Sequence, residues 1–318
     1  MSYRKLSMAL YFCENRWYTL FVGQKWRTKI EEKIYKIWIS LIKNLGIKKY
    51  QSLIQEFGSM QNLWNASKED LRKADGIGEK LSEIISNKDI KKDTLRHLEY
   101  MKKHNIDIIG IEDKEYPTLL KNIYNPPLNL YIIGRKDILN EANIAVVGCR
   151  EASEYGKFVA KDFAYNLSKS GFNIVSGLAR GIDSYAHIGT INARGKTIAV
   201  LGNGLDAIYP QENIKLVQDI LNNHGCIISE YPLGTKPDRA NFPARNRIIS
   251  GLSNGVLVVE AKPKSGTMIT VDFALEQGRD VFVIPGNIDS VNSLGTNELI
   301  RQGAKLVTNY EEIVEEYI

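Results

Sequence analysis

Residues 144–177 read IAVVGCREASEYGKFVAKDFAYNLSKSGFNIVSG. The stretch opens on an unbroken apolar run, Ile144–Val147, the pattern of a strand buried on both faces. A segment of helical pattern follows from Tyr155 to Ser170, closed by Gly171, and a second apolar run, Asn173–Val175, comes next. Strand, helix and strand in that order form the unit of a parallel sheet. The same alternation continues through Thr197–Leu201, Cys226–Ser229, Val256–Val259, Val281–Ile284 and Lys305–Val307. The expected fold class is therefore α/β, a doubly wound and mostly parallel sheet. Two connections, 231–254 and 285–295, are less regular and are candidates for carrying function.

Upstream, the periodicity changes. Ile34, Ile37, Trp38, Leu41, Ile42 and Leu45 form the apolar stripe of an amphipathic helix, with Gly46 as its stop. Further stops are expected at Gly58 and Gly76, and Ser67 before Lys68-Glu69-Asp70-Leu71 is a helix cap. Residues 31–105 thus read as a small all-α domain. Residues 106–142 read as a proline-bearing connector (Pro117, Pro126, Pro127) with one short strand at Leu130–Ile133, and belong to the second domain, 106–318. Residues 1–30 show no clear period and are left as an unassigned extension.

The chain has 318 residues, 43% hydrophobic and 25% charged, which excludes disordered, collagen-like and disulfide-stapled classes. Its net charge of +5 is uneven. Residues 1–140 hold 25 basic and 17 acidic residues, whereas residues 141–318 hold 17 and 20. An anionic partner is the expectation that follows. Cys13, Cys149 and Cys226 make no CxxC pair, and the four histidines have no metal-ligand spacing, so no metal and no cofactor is implied. No apolar run reaches the roughly 18 residues of a membrane span, the N-terminus is a poor signal peptide, and a reduced, cytoplasmic setting is expected.

Chemistry concentrates where strands end. Gly148-Cys149-Arg150, Ser176-Gly177-Leu178-Ala179, Gly202-Asn203-Gly204, Ser229-Glu230, Glu260-Ala261 and Pro285-Gly286 each follow a strand. In a parallel sheet they share the carboxyl edge, where open α/β sheets bind ligands. Arg150 suits phosphate oxygens. Gly202-Asn203-Gly204-Leu205-Asp206-Ala207 matches GxGxxA, but Pro210 delays the next helix and argues against a dinucleotide fingerprint. Phe242, Arg245, Asn246 and Arg247 combine an aromatic with cations, suited either to phosphates and bases or to loop carbonyls and acids. Ser265-Gly266-Thr267 opens a helix and offers amides to an anion. In the N-terminal part, Asp75-Gly76-Ile77-Gly78-Glu79-Lys80 is a glycine turn between short helices, with Leu71 and Ile77 as packing positions. Such a turn can hold one phosphate on its amides; it resembles a helix-hairpin-helix motif, and that resemblance makes Gly76, Gly78 and Lys80 an auxiliary candidate for DNA backbone contact.

These blocks together resemble the DNA processing protein A family (DprA, also called Smf). The resemblance rests on Ser176–Asp183 with Ala186-His187, Thr197–Asp206 with Tyr209-Pro210, and Phe242–Gly251. Ser265-Gly266, Glu276–Val281 and Gly295-Thr296-Asn297 extend it, so that it spans roughly residues 34–310. It implies an extended Rossmann-like domain preceded by a sterile-alpha-motif or helix-hairpin-helix domain. It implies single-stranded DNA binding by a homodimer, RecA loading in natural transformation, and no catalysis. The DNA site it implies comprises Gly148, Cys149, Arg150, Ser176, Gly177, Asn203, Phe242, Arg245, Asn246, Arg247, Ser265 and Gly266. Cys149 stands where the family usually has serine, Gln211 where some members have lysine, and no winged-helix domain is expected after Ile318. The alternative is a Rossmann-like nucleotide hydrolase of the phosphoribohydrolase type, whose glycine turn Ser265-Gly266-Thr267 partly echoes.

Overall fold

The computed structural model describes residues 24–317. A nine-stranded sheet has the order β1-β2-β6-β5-β4-β3-β7-β8-β9. Its strands are β1 (Asp107–Gly110), β2 (Asn129–Gly134), β3 (Asn143–Val147), β4 (Asn173–Ser176), β5 (Thr197–Leu201), β6 (Cys226–Ser229), β7 (Gly255–Val258), β8 (Asp280–Val283) and β9 (Lys305–Leu306). From β6 to β9 every pairing is parallel, while β1 and β2 extend the sheet antiparallel beyond β6. All seven expected strands from 144 onward are present, as is the one at 130–133. β1 lies inside the stretch expected to be connector.

The helices are α1 (Gln24–Leu41), α2 (Ile47–Phe57), α3 (Met60–Asn65), α4 (Lys68–Leu71), α5 (Glu79–Ser86), α6 (Lys88–Lys103), α7 (Thr118–Lys121), α8 (Glu154–Lys169), α9 (Ile182–Asn192), α10 (Ile214–Asn222), α11 (Asn241–Gly251), α12 (Gly266–Glu276), α13 (Leu294–Arg301) and α14 (Glu311–Val314). Alternate residues of one strand feed opposite layers, because successive side chains leave a strand on opposite faces. Ile144 and Val146 pack with Val159, Phe163 and Leu167 of α8 and Ile182 and Ala186 of α9. Ala145 and Val147 share a core with Ile248 of α11 and Val271 of α12.

The N-terminal helices follow their sequence signals in part. Gly58 closes α2 in a left-handed conformation (φ 69°), and the Ser67 side chain accepts a hydrogen bond from the Asp70 amide at 3.1 Å. The first helix begins at Gln24, inside the stretch without a period, and ends at Leu41, before its expected stop at Gly46. Asn44 takes a left-handed turn (φ 63°) just beyond, and Gly46 instead caps the start of α2. Leu71 and Ile77 are buried. The helical part is not a separate bead. Ile37 of α1 shares a core with Ile108 of β1 and Tyr131 of β2, and Lys36 pairs with Asp113 at 2.5 Å.

Candidate nucleic-acid interface

The chain runs outward from β3 through β4 and β5 to β6, then returns to place β7 on the other side of β3. Loops leaving the carboxyl ends of β3 and β7 must diverge there and open a crevice. A cleft of about 680 Å³ occupies that position. Its lining includes Gly148–Glu151 after β3, Lys262 after β7, Ser265–Thr267 at the start of α12, Phe242, Arg245 and Asn246 of α11, and Tyr209 and Arg239.

The turn carrying Arg150 is held from both sides. The Cys149 amide donates to the Glu260 carbonyl at 2.9 Å, and the Cys149 carbonyl accepts from the Ile182 amide at 3.1 Å. Close approach requires Gly181: its φ is +73°, and a Cβ there would lie 2.2 Å from the Cys149 carbonyl oxygen. Cys149 itself is buried, which pushes its thiol pKa up. Arg150 is exposed, and no carboxylate lies in ion-pair range of it among the described residues. Its guanidinium carbon sits 5.5 Å from the centre of the Phe242 ring. The Tyr209 ring lies 5.6 Å from that of Phe242, so the cleft carries an aromatic pair with a cation above it.

The opposite wall is the start of α12. Among the described residues no side chain caps this helix, although Ser265 occupies the capping position, and its buried hydroxyl has no partner among them. The first amides of α12 therefore face the cleft free of a side-chain acceptor. Lys262 is engaged by Glu151 at 2.9 Å, whereas Arg239 has no ion pair among the described residues. Four basic side chains (Arg150, Arg239, Arg245, Lys262) face two acids (Glu151, Asp183), so the cleft is basic in the half of the chain whose net charge is acidic.

Eight of the twelve main residues named from sequence line this cleft: Gly148, Cys149, Arg150, Phe242, Arg245, Asn246, Ser265 and Gly266. The other four lie beside or beneath it. The Ser176 hydroxyl donates to the Val146 carbonyl, and the Gly177 amide donates to Asp183. The Asn203 side chain is buried and bonds to the carbonyls of Gly204 and Ala207. Arg247 forms a two-pronged ion pair with Glu230 (both contacts 2.6 Å) and also donates to the Asn125 carbonyl. Arg245 borders the cleft, yet the residue is only 4% exposed and its guanidinium donates to the carbonyls of Gly177 and Val200. Burial lowers its pKa to about 10, so it remains protonated at neutral pH, while burial raises that of Asp183. Both arginines thus realise the carbonyl-and-acid alternative.

Sequence reading did not name Tyr209, Arg239 or Lys262 as site residues. Lys262 directly follows the strand end Glu260-Ala261, and Tyr209 belongs to the Tyr209-Pro210 step after the GxGxxA turn, so both carry a positional signal. Arg239 lies in the irregular 231–254 connection and had none. The GxGxxA turn is followed by Pro210 and a short 3-10 turn before α10 starts at Ile214, as the proline required. In the N-terminal part, Gly76 is left-handed (φ 74°), and Gly78 precedes α5 with no side-chain cap. Glu79 is bound by Arg72 at 2.6 Å, and Lys80 is exposed. This turn does not line the cleft.

Fold and cleft define a doubly wound α/β protein with a basic, aromatic-lined crevice at its switch point. Residues 107–318 match the DNA recombination-mediator protein A family, and the chain belongs to that family. It is 40% identical to Protein Smf of Synechocystis over 89% of this chain and 72% of that protein. It is 45% identical to DNA processing protein DprA of Bacillus subtilis over 70% of this chain and 74% of the relative. The solved structure of DprA from Streptococcus pneumoniae superposes with a TM-score of 0.73 at 36% identity, covering 90% of this chain and 97% of that one. A Helicobacter pylori structure, described as showing a single-stranded DNA binding mode, matches at a TM-score of 0.60 and 33% identity over 66% of this chain and 94% of that one.

Proposed function

We propose that this chain is a single-stranded-DNA-binding recombination mediator that works by binding rather than by catalysis. The observation that carries the reading is Arg150, exposed and with no ion-pair partner among the described residues, poised over the Phe242–Tyr209 pair and facing the uncapped start of α12. A flexible strand offers phosphates to the cation and amides, and unstacked bases to the aromatic faces; a duplex keeps its bases stacked inside. The carboxylates of the cleft are engaged, Asp183 by the Gly177 and Ala179 amides and Glu151 by Lys262, which suits a holding site. Family membership supports the further reading that the chain acts as a homodimer inside the cell and delivers strands to RecA. Gly76, Gly78 and Lys80 are an auxiliary backbone contact in the same scheme.

Anisotropy titration with single- and double-stranded oligonucleotides tests it. The single strand is expected to bind tighter. Arg150→Ala should cost about tenfold in affinity and lower the slope of log K against log salt by about 0.7, the contribution of one phosphate contact on a single strand. Equal affinity for both DNA forms, or an Arg150→Ala chain indistinguishable from wild type, would count against the reading.

A further inference from the structure

We infer that Arg245 is a positioning residue that assembles the cleft from inside, and that it does not itself grip phosphate. The inference rests on the single-strand reading above. Its ground is where the three consecutive side chains of Arg245-Asn246-Arg247 go. Arg245 reaches back across α11 to the Gly177 carbonyl (2.7 Å), just past β4, and to the Val200 carbonyl in β5. The Asn246 amide donates to the Gly266 carbonyl at the start of α12 (3.1 Å). Arg247 takes Glu230, just past β6, and the Asn125 carbonyl. One turn of helix thereby ties together four neighbouring segments of the carboxyl edge.

Within this set Arg245 has a second face. Its guanidinium carbon lies 6.0 Å from the Phe242 ring centre and that of Arg150 lies 5.5 Å from it, so the ring contacts two cations. Phe242 also packs on Gly202, where a Cβ would stand 2.9 Å from the ring. Asp183 and Arg245 flank Gly177, where a Cβ would meet the carboxylate at 2.7 Å and the guanidinium at 2.6 Å. Nη1 serves both buried carbonyls and Nε donates to the Asn246 side chain, so each two-pronged edge of this buried guanidinium already has one nitrogen committed and none is left whole for a phosphate. Its consequence for DNA is indirect: it fixes the height and tilt of the Phe242 face on which a base stacks.

Arg245→Met removes the cation and keeps an apolar stem. Because it leaves Asp183 buried without its counter-charge, Arg245→Met with Asp183→Asn is measured alongside, removing the pair together. Each chain is titrated with an oligothymidylate and with an abasic strand of equal length, at several salt concentrations, with Arg150→Ala as the phosphate-contact reference. The expected result has three parts. Affinity for oligothymidylate falls about tenfold, in the range of a lost stacking contact. The advantage of oligothymidylate over the abasic strand disappears. The salt slope stays at the wild-type value. A slope lowered as far as in Arg150→Ala, with the base advantage intact, overturns the inference, as does unchanged affinity. Failure of the wild-type chain to bind either strand instead overturns the single-strand reading, and the inference with it.

Discussion

At the scale of single residues, the same side-chain type does opposite work according to depth. Arg150 and Arg245 both border the cleft; among the described residues one is exposed without an ion-pair partner, the other is buried on two carbonyls. Sequence shows an arginine after a strand and an arginine in a helix, but burial is decided by which segments cross above them, and no local pattern encodes that. His187 makes a second case. It is fully buried, its Nδ1 lies 2.7 Å from the Thr197 hydroxyl, and that hydroxyl donates to the Ile174 carbonyl. The ring therefore donates through Nδ1–H and leaves Nε2 unprotonated. Burial holds its pKa near 3, against an ordinary 6.5. A depressed folded value means that this stabilising contribution is intact above pH 6.5 and lost as pH falls toward 3. Between pH 7 and pH 5 the loss is about 2 kcal/mol from this one group. Urea unfolding at the two pH values should show it, and His187→Gln should remove about one proton's worth of that dependence. Gly181→Ala should cost about 3 kcal/mol or more in the same assay, since a methyl there meets the Cys149 carbonyl and the backbone is left-handed.

At the scale of elements, legibility followed burial. The strands from β3 to β8 are nearly continuous Val and Ile runs because both their faces are covered, and such runs stand out against helical stretches. β1 is four residues at the edge of the sheet, Asp107-Ile108-Ile109-Gly110, and its identity depends on pairing with β2, a partner that lies across three prolines in sequence. The start of α1 was illegible for a related reason: Lys25, Arg27 and Lys29 give no apolar stripe to mark where the helix begins. The carboxyl-edge cluster could be anticipated because strand direction alone collects it, whereas the opposed sides of α11 could not. Arg247 on that helix and Glu230 are 12% and 17% exposed, a pair shielded from solvent. Glu230→Ala should therefore destabilise the fold by about 3 kcal/mol, measured by denaturant midpoint, because Arg247 is left buried without its anion.

At the scale of the molecule, the helical part and the sheet share one interior. Trp38 belongs to the same core as Leu130 and Ile132 of β2, and Asn129 donates to the Lys36 carbonyl at 3.1 Å. A chain beginning at residue 106 would uncover Ile108, Tyr131 and their neighbours. It should melt at a lower temperature than the full chain and bind an apolar dye that the full chain excludes. The strand-end bonds that shape the cleft have a further consequence, in time rather than in energy. Arg150 already rests on Phe242, and the loops around it are tied to the interior by Cys149, Asn246 and Arg247. An incoming strand meets a surface that has little left to rearrange. Capture should then be a single encounter step: in stopped-flow mixing, one exponential phase whose rate rises linearly with strand concentration and does not level off.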